Sequence, residues 1–197
     1  MISIFKSWLL IGIEHITDLN GNDHMLFLLA LCCSYGLANW KKLLIIISAF
    51  TIGHCITLAL SVTHFITINS NLVEFLIPIT IIITCVVNLL HLYFKICYNI
   101  VYNYALTICF GLIHGLGFST LLKQILGKED SIIFPLFSFN IGIEIGQIFI
   151  VFLAVWVQRF FMQLFNLKLQ YFTFIVSIII FIIAMQMAFN RAFILLN

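Results

Sequence analysis

Long apolar runs, separated only by short charged stretches, decide what this chain can fold into. Six are read directly, at 24–39, 43–63, 72–93, 98–122, 132–158 and 170–190. They lie around the ~20 residues that a helix needs to cross the hydrocarbon core of a bilayer. The breaks carry the charge: Lys41 and Lys42, the polar stretch from His64 to Asn71, Lys95, Gly127-Lys128-Glu129-Asp130, and Arg159 through Lys168. Only 8% of the 197 residues are charged and 63% are hydrophobic, against about 25% charged in a soluble domain. That balance excludes a water-soluble globule, a disordered chain and a disulfide scaffold. Strands of a membrane barrel would be about ten residues long and would alternate in polarity, which these runs do not. A helix satisfies its own backbone hydrogen bonds in lipid. The expected fold is therefore an all-α membrane protein, a single polytopic domain over 1–197. It is a bundle of six transmembrane helices plus a short N-terminal interfacial helix over 2–17, where Lys6, Glu14 and His15 interrupt the apolar pattern. Seven full spans is the alternative. Lipid is the expected surrounding, and a net charge of +2 gives no case for nucleic acid.

Other signals are weaker. The Lys41-Lys42 pair favours an inside first loop and an outside N-terminus. No small-x-small cleavage site follows 2–17, so a secretory signal peptide is not expected. Cys32, Cys33, Cys55, Cys85, Cys97 and Cys109 form no CxxC pair and read as small apolar core residues. No repeat of obvious identity is visible.

The informative residues are those that are costly in lipid. An ionisable group near a helix centre costs about 2.5–3.5 kcal/mol on insertion scales, so it faces the bundle interior and serves a function. The candidates are Asp23 and His24 at the start of the first run, His54 in the second, His114 in the fourth and Glu144 in the fifth. His54 lies roughly 18 Å into its helix, and Glu144 about as far into its own, from a rise of about 1.5 Å per residue. Asn140, Glu144 and Gln147 share one helix face, and Thr51 and His54 share another. Gly111 and Gly115 bracket His114 and allow close helix contact. His15, Glu74, Asn140, Gln147 and Thr51 are candidate supporting or pathway residues. Thr84 and Asn88 read as interhelical hydrogen-bond partners, and Glu74 also suits a helix N-terminus.

Imidazole and carboxylate donors suit Ni²⁺, Co²⁺, Zn²⁺ or Fe²⁺. Neutral imidazoles with one or two carboxylates can strip the water from such an ion and still release it. Protonated His cannot bind it, so the chemistry is pH-sensitive.

These residues also resemble a family. Gly21-Asn22-Asp23-His24 followed by Met25-Leu26-Phe27-Leu28-Leu29 resembles the G-x-D-H-x-L-F-L-L signature of the HupE/UreJ family. Gly12 and His15-Ile16 match its G-x-x-H-I, and Phe50-Thr51-Ile52-Gly53-His54 with Thr57-Leu58 its F-T-x-x-H-x-x-T-L. Val73-Glu74 resembles its V-E pair. Phe110 to Phe118 matches F-G-L-x-H-G-x-G-F, and Phe139-Asn140 through Glu144-Ile145-Gly146-Gln147 matches F-N-x-G-x-E-x-G-Q. One departure is the spacing of His15 from Asp23, which is wider than the pattern by two residues. The resemblance implies a bacterial inner-membrane protein related to nickel and cobalt permeases. The ion, Ni, Co or Zn, is then a substrate or bound ion held by Asp23, His24, His54, His114 and Glu144, and the protein is not an enzyme. A membrane-embedded zinc hydrolase and a non-catalytic accessory subunit for metalloenzyme maturation are the competing readings.

Overall fold

The computed structural model describes residues 2–18, 21–36, 39–94, 100–127 and 132–196. Lys95, Cys97, Lys128, Glu129 and Asp130 lie outside the described residues. Among these residues are seven helices and no strand: α1 (Ile2–Thr17), α2 (Asp23–Cys32), α3 (Trp40–Val62), α4 (Ser70–Phe94), α5 (Ile100–Leu126), α6 (Ile133–Leu164) and α7 (Leu169–Leu196). The last five are long and apolar enough to cross a membrane.

The first expected span, 24–39, is not a full-length helix. α2 has only 10 residues, too few to span alone. Its C-terminal carbonyls have no helical partner, and in lipid each would be costly. Buried polar side chains take them up instead. Asn88 Nδ2 donates to the Ala30 carbonyl at 2.7 Å, and Gln158 Nε2 and Thr173 Oγ1 donate to the Cys33 carbonyl at 3.2 and 2.6 Å. Asn88 is thus an interhelical partner, as its place on α4 suggested. Cys32, Cys33 and Cys85 are buried in the core, whereas Cys55 is partly exposed and Cys109 exposed.

The helices pack in three close pairs, α1 with α6, α3 with α5, and α4 with α7. Glycine makes the first two. A Cβ on Gly12 would overlap the Phe139 carbonyl, and one on Gly142 the Leu9 carbonyl. Likewise a Cβ on Gly111 would overlap the Phe50 carbonyl, and one on Gly53 the Ile108 carbonyl. The order of these contacts makes α1 parallel to α6 and α3 parallel to α5. α4 and α7 run antiparallel, since Asn88 meets Ser177 at one end and Arg191 meets Glu74 at the other.

The two glycine pairs are the same structure twice. Gly12-x-x-His15 on α1 corresponds to Gly111-x-x-His114 on α5, and Phe139-x-Ile141-Gly142-x-x-Ile145 on α6 to Phe50-x-Ile52-Gly53-x-x-Ile56 on α3. In each pair the carbonyl three residues before one glycine meets the other glycine. The repeat has too few identities to be obvious in sequence: α1-α3-α4 is matched by α5-α6-α7. The C-terminal half of α6, through Gln158, and the N-terminal end of α5, through Asn103, both reach the end of α2 at Cys33 and Tyr35. α5 and α6 are therefore antiparallel, and each helix of the first half runs opposite to its counterpart in the second. The chain from Gly12 to Gly53 is longer than that from Gly111 to Gly142 by ten residues, the length of α2.

Candidate metal centre

α1 descends with α6, and α2 continues from the region of His15 toward the Asn88 end of α4. α1 ends at Thr17 and α2 begins at Asp23 part-way along α6, where Gly146 meets Ile16, with His15 and His24 near the two helix ends and Asp18, Gly21 and Asn22 exposed. The glycine contacts of α3 with α5 bring His54 and His114 to the same place. Gly111 and Gly115 lie directly against the His54 backbone. His24, His54 and His114 are buried, with His54 and His114 at 0% exposure. The ring centroids are 4.8 Å apart for His15–His24, 5.8 Å for His15–His54, 5.6 Å for His24–His54 and 5.0 Å for His24–His114. Phe27, Phe50, Phe118 and Phe139 wall the cluster. Phe118 lies 3.8 Å from His15, centroid to centroid, and stacks on Phe139 at 5.2 Å.

Buried polar atoms are nearly always hydrogen-bonded, and here they are not. His15 Nε2, His24 Nε2, both nitrogens of His54, His114 Nδ1 and Asp23 Oδ1 are buried without a hydrogen-bond partner among the described residues. The second nitrogen of His114 has one: Nε2 lies 3.0 Å from Thr80 Oγ1. The Thr80 hydroxyl donates to the Ile77 carbonyl at 2.6 Å. Its proton is spent there, so it accepts from His114 Nε2–H. That fixes the tautomer and leaves Nδ1 as a bare lone pair, the form in which imidazole binds a metal.

Spacing suits the same chemistry. With metal–nitrogen bonds of about 2.0–2.1 Å, rings around a tetrahedral ion have centroids roughly 5 Å apart. The four measured separations bracket that value. Among the described residues, however, no three His, Cys, Asp or Glu side chains stand in ready coordination geometry around one point. Three of the four ring pairs meet edge to face and the His15–His54 pair is tilted at 45°, so the rings would have to rotate to converge.

The other candidates divide. His15 belongs to the cluster, beside His24 and His54. Asp23 adjoins it, with one oxygen unpartnered. Glu144 is engaged elsewhere: Oε1 accepts from the Ser48 hydroxyl at 2.7 Å and Oε2 from the Thr51 hydroxyl. Thr51 also meets Gln147 Oε1 at 2.7 Å. This second, oxygen-rich group lies between α3 and α6, one helical turn from His54 on α3. Gln147 Nε2 and Asn140 Oδ1 are unpartnered as well. Glu74, partly exposed, stands with Arg191 beside Asp23.

Two participants were not singled out from sequence. Thr80 carried no signal beyond lying in an apolar run. Arg191 follows the end of the last apolar run, where a lone charge carries no signal of its own. It bonds Asp23 Oδ2 at 2.8 Å and lies 3.3 Å from Glu74 Oε2.

The fold and site define a helical membrane protein of two oppositely directed halves with four histidines gathered between its helices. Residues 1–192 match the model of the family described as HupE / UreJ protein, and the chain belongs to that family. At family level this is a membrane protein related to nickel and cobalt transport. No curated protein and no solved structure matches the chain.

Proposed function

We propose that this protein is a permease for a divalent transition metal, nickel or cobalt foremost, in a bacterial inner membrane, and that the whole chain acts as one polytopic unit. The observation that carries the reading is the set of unpartnered nitrogens of His15, His24, His54 and His114, all buried at one place. Leaving that many polar atoms unpaired costs on the order of 1–3 kcal/mol each, and a borderline cation that binds imidazole would relieve it.

In this reading α1 and α2 together supply one crossing, broken at its middle, and the bundle has six. Transporters bind their substrates at such breaks, between repeats of opposite direction. The C-terminal carbonyls of α1 favour a cation there, and Asp23 offsets the unfavourable positive end of α2. The four imidazoles replace the ion's water as neutral donors. The Asp23 carboxylate lowers the cost of the charge in a low-dielectric interior. Glu144, with Ser48 and Thr51, is the next anionic group along α3 toward the other face. A hydrolytic zinc centre is less well supported, because it needs an open coordination position at a cleft that admits substrate. An apolar cleft of about 570 Å³ is lined instead by residues such as Met25, Leu29, Cys32 and Phe161.

The test is uptake of Ni²⁺, Co²⁺ and Zn²⁺ into proteoliposomes by the wild type and by His54→Ala. The wild type should accumulate Ni²⁺ or Co²⁺ above protein-free vesicles and His54→Ala should not. Wild-type vesicles that take up none of the three ions would refute the permease reading.

A further inference from the structure

Arg191 holds the carboxylate beside the imidazole cluster, and a proline makes its seat. Pro78 lies inside α4 and has no N–H to give the carbonyl of Glu74, four residues earlier. That carbonyl would be an unsatisfied acceptor inside a membrane helix. Arg191 Nη1 donates to it at 2.9 Å, while Nη2 reaches Asp23 Oδ2 at 2.8 Å. The guanidinium is thus fixed at one end by a backbone acceptor that nothing else in α4 can use. Its other end is on Asp23, whose second oxygen remains buried and unpartnered.

We infer that Arg191 is a tethered counter-cation that occupies Asp23 while the cluster is empty and must yield that carboxylate when a metal ion enters. The inference rests on the permease reading above. Asp23 is adjacent to His24 in sequence and stands at the opening of α2, so an ion bound by His24 lies near the guanidinium. Two cations that share one carboxylate in a poorly screened interior repel each other strongly. In the empty protein Arg191 keeps Asp23 from being a lone buried anion, which is itself costly. In the loaded protein the metal takes over that role. Because its other nitrogen is held by the Glu74 carbonyl, Arg191 stays within reach to return. Its competition weakens holding and speeds release, so the residue trades affinity for turnover.

The experiment is nickel titration calorimetry on the purified full-length protein in detergent, with Arg191→Gln, Arg191→Lys, Asp23→Asn and the Asp23→Asn/Arg191→Gln double variant. Removing the competing charge should lower the dissociation constant for nickel by about tenfold or more. Arg191→Lys, which keeps the charge, should stay closer to the wild type. Removing Arg191 in the Asp23→Asn background should tighten binding less than it does in the wild type, because the carboxylate the two cations compete for is gone; an equal or larger gain there overturns the competition for Asp23. Unchanged or weaker binding by Arg191→Gln overturns the inference and makes Arg191 only a support for Asp23. If the wild type binds none of Ni²⁺, Co²⁺ and Zn²⁺, the permease reading fails, and this one with it; if it binds one of the other two ions instead, the same variants are titrated with that ion. A second measurement needs no variant. Phenylglyoxal labelling of the wild type, read by peptide mass spectrometry, compares Arg191 with Arg159, the chain's other arginine. Nickel should raise labelling of Arg191 several-fold relative to Arg159, and an unchanged ratio overturns the inference.

Discussion

Thr80→Val isolates the tautomer argument. Valine keeps the shape of threonine and removes the hydroxyl. His114 Nε2–H, now 3.0 Å from that oxygen, would face a methyl group instead. The imidazole then has two choices. It can keep the proton on Nε2 and leave a buried donor unpaired, at about 1–3 kcal/mol. Or it can carry the proton on Nδ1, which removes the lone pair offered to the cluster. Either way the metal-competent form of His114 is disfavoured by a similar amount. Since 1.4 kcal/mol is a factor of ten, nickel affinity should fall about 10- to 100-fold, the range seen when partners of metal-binding histidines are removed. Calorimetric titration of the purified protein with Ni²⁺ measures this, with Thr80→Ser as the control that restores the hydroxyl and should restore binding. The variant must also keep its melting temperature within a few degrees, because the Thr80–Ile77 bond is local to α4. A Thr80→Val protein that binds nickel as the wild type does would refute the assignment of Nδ1 as the free donor.

Two further outcomes follow from the geometry. Gly111→Ala places a methyl group against the Phe50 carbonyl and should cost about 1–3 kcal/mol of stability through overpacking. It would be read as a lower melting temperature in detergent, and an unchanged one would contradict the close α3·α5 contact. Glu144→Gln keeps the size and removes the charge of a residue bonded to Ser48 and Thr51 rather than to the imidazoles. Nickel affinity in detergent should stay within about threefold while uptake into proteoliposomes is lost. Loss of binding itself would mean that Glu144 is a ligand after all.

Helical class and five of the membrane helices were readable because apolar runs have no other stable form in lipid. His24, His54 and His114 stood out for a related reason, since imidazoles are costly in such runs, and the rings of His54 and His114 both lie beside that of His24. Depth counting sets Glu144 level with the histidines, but it measures position along a helix, not which neighbour that helix meets; its carboxylate accepts from Ser48 and Thr51. The place of His15 was less legible because 2–17 reads as a separate interfacial piece, whereas its ring lies beside those of His24 and His54. The repeat escaped notice because its identities are confined to glycines, a few apolar positions and one histidine. The ten residues of α2 also shift the two halves out of a constant offset. Arg191 and Thr80 acquire meaning only from Pro78, Asp23 and His114, which are distant in sequence from one or both of them.

A duplicated scaffold that carries unduplicated chemistry has a built-in polarity. Turned over in the plane of the membrane, Gly12 takes the place of Gly111, His15 that of His114, and Gly142 that of Gly53. The correspondence ends at the polar residues beyond them: His54 falls on Ile143, Cys55 on Glu144 and Leu58 on Gln147, and α2 falls on nothing. The glycine framework is close to the same from either face. To an ion the two faces differ, since one side offers Asp23 with its guanidinium and the other a carboxylate among hydroxyls. Any preference for inward over outward passage must therefore be written in the few positions where the halves disagree, and those positions are where a change of direction could be selected.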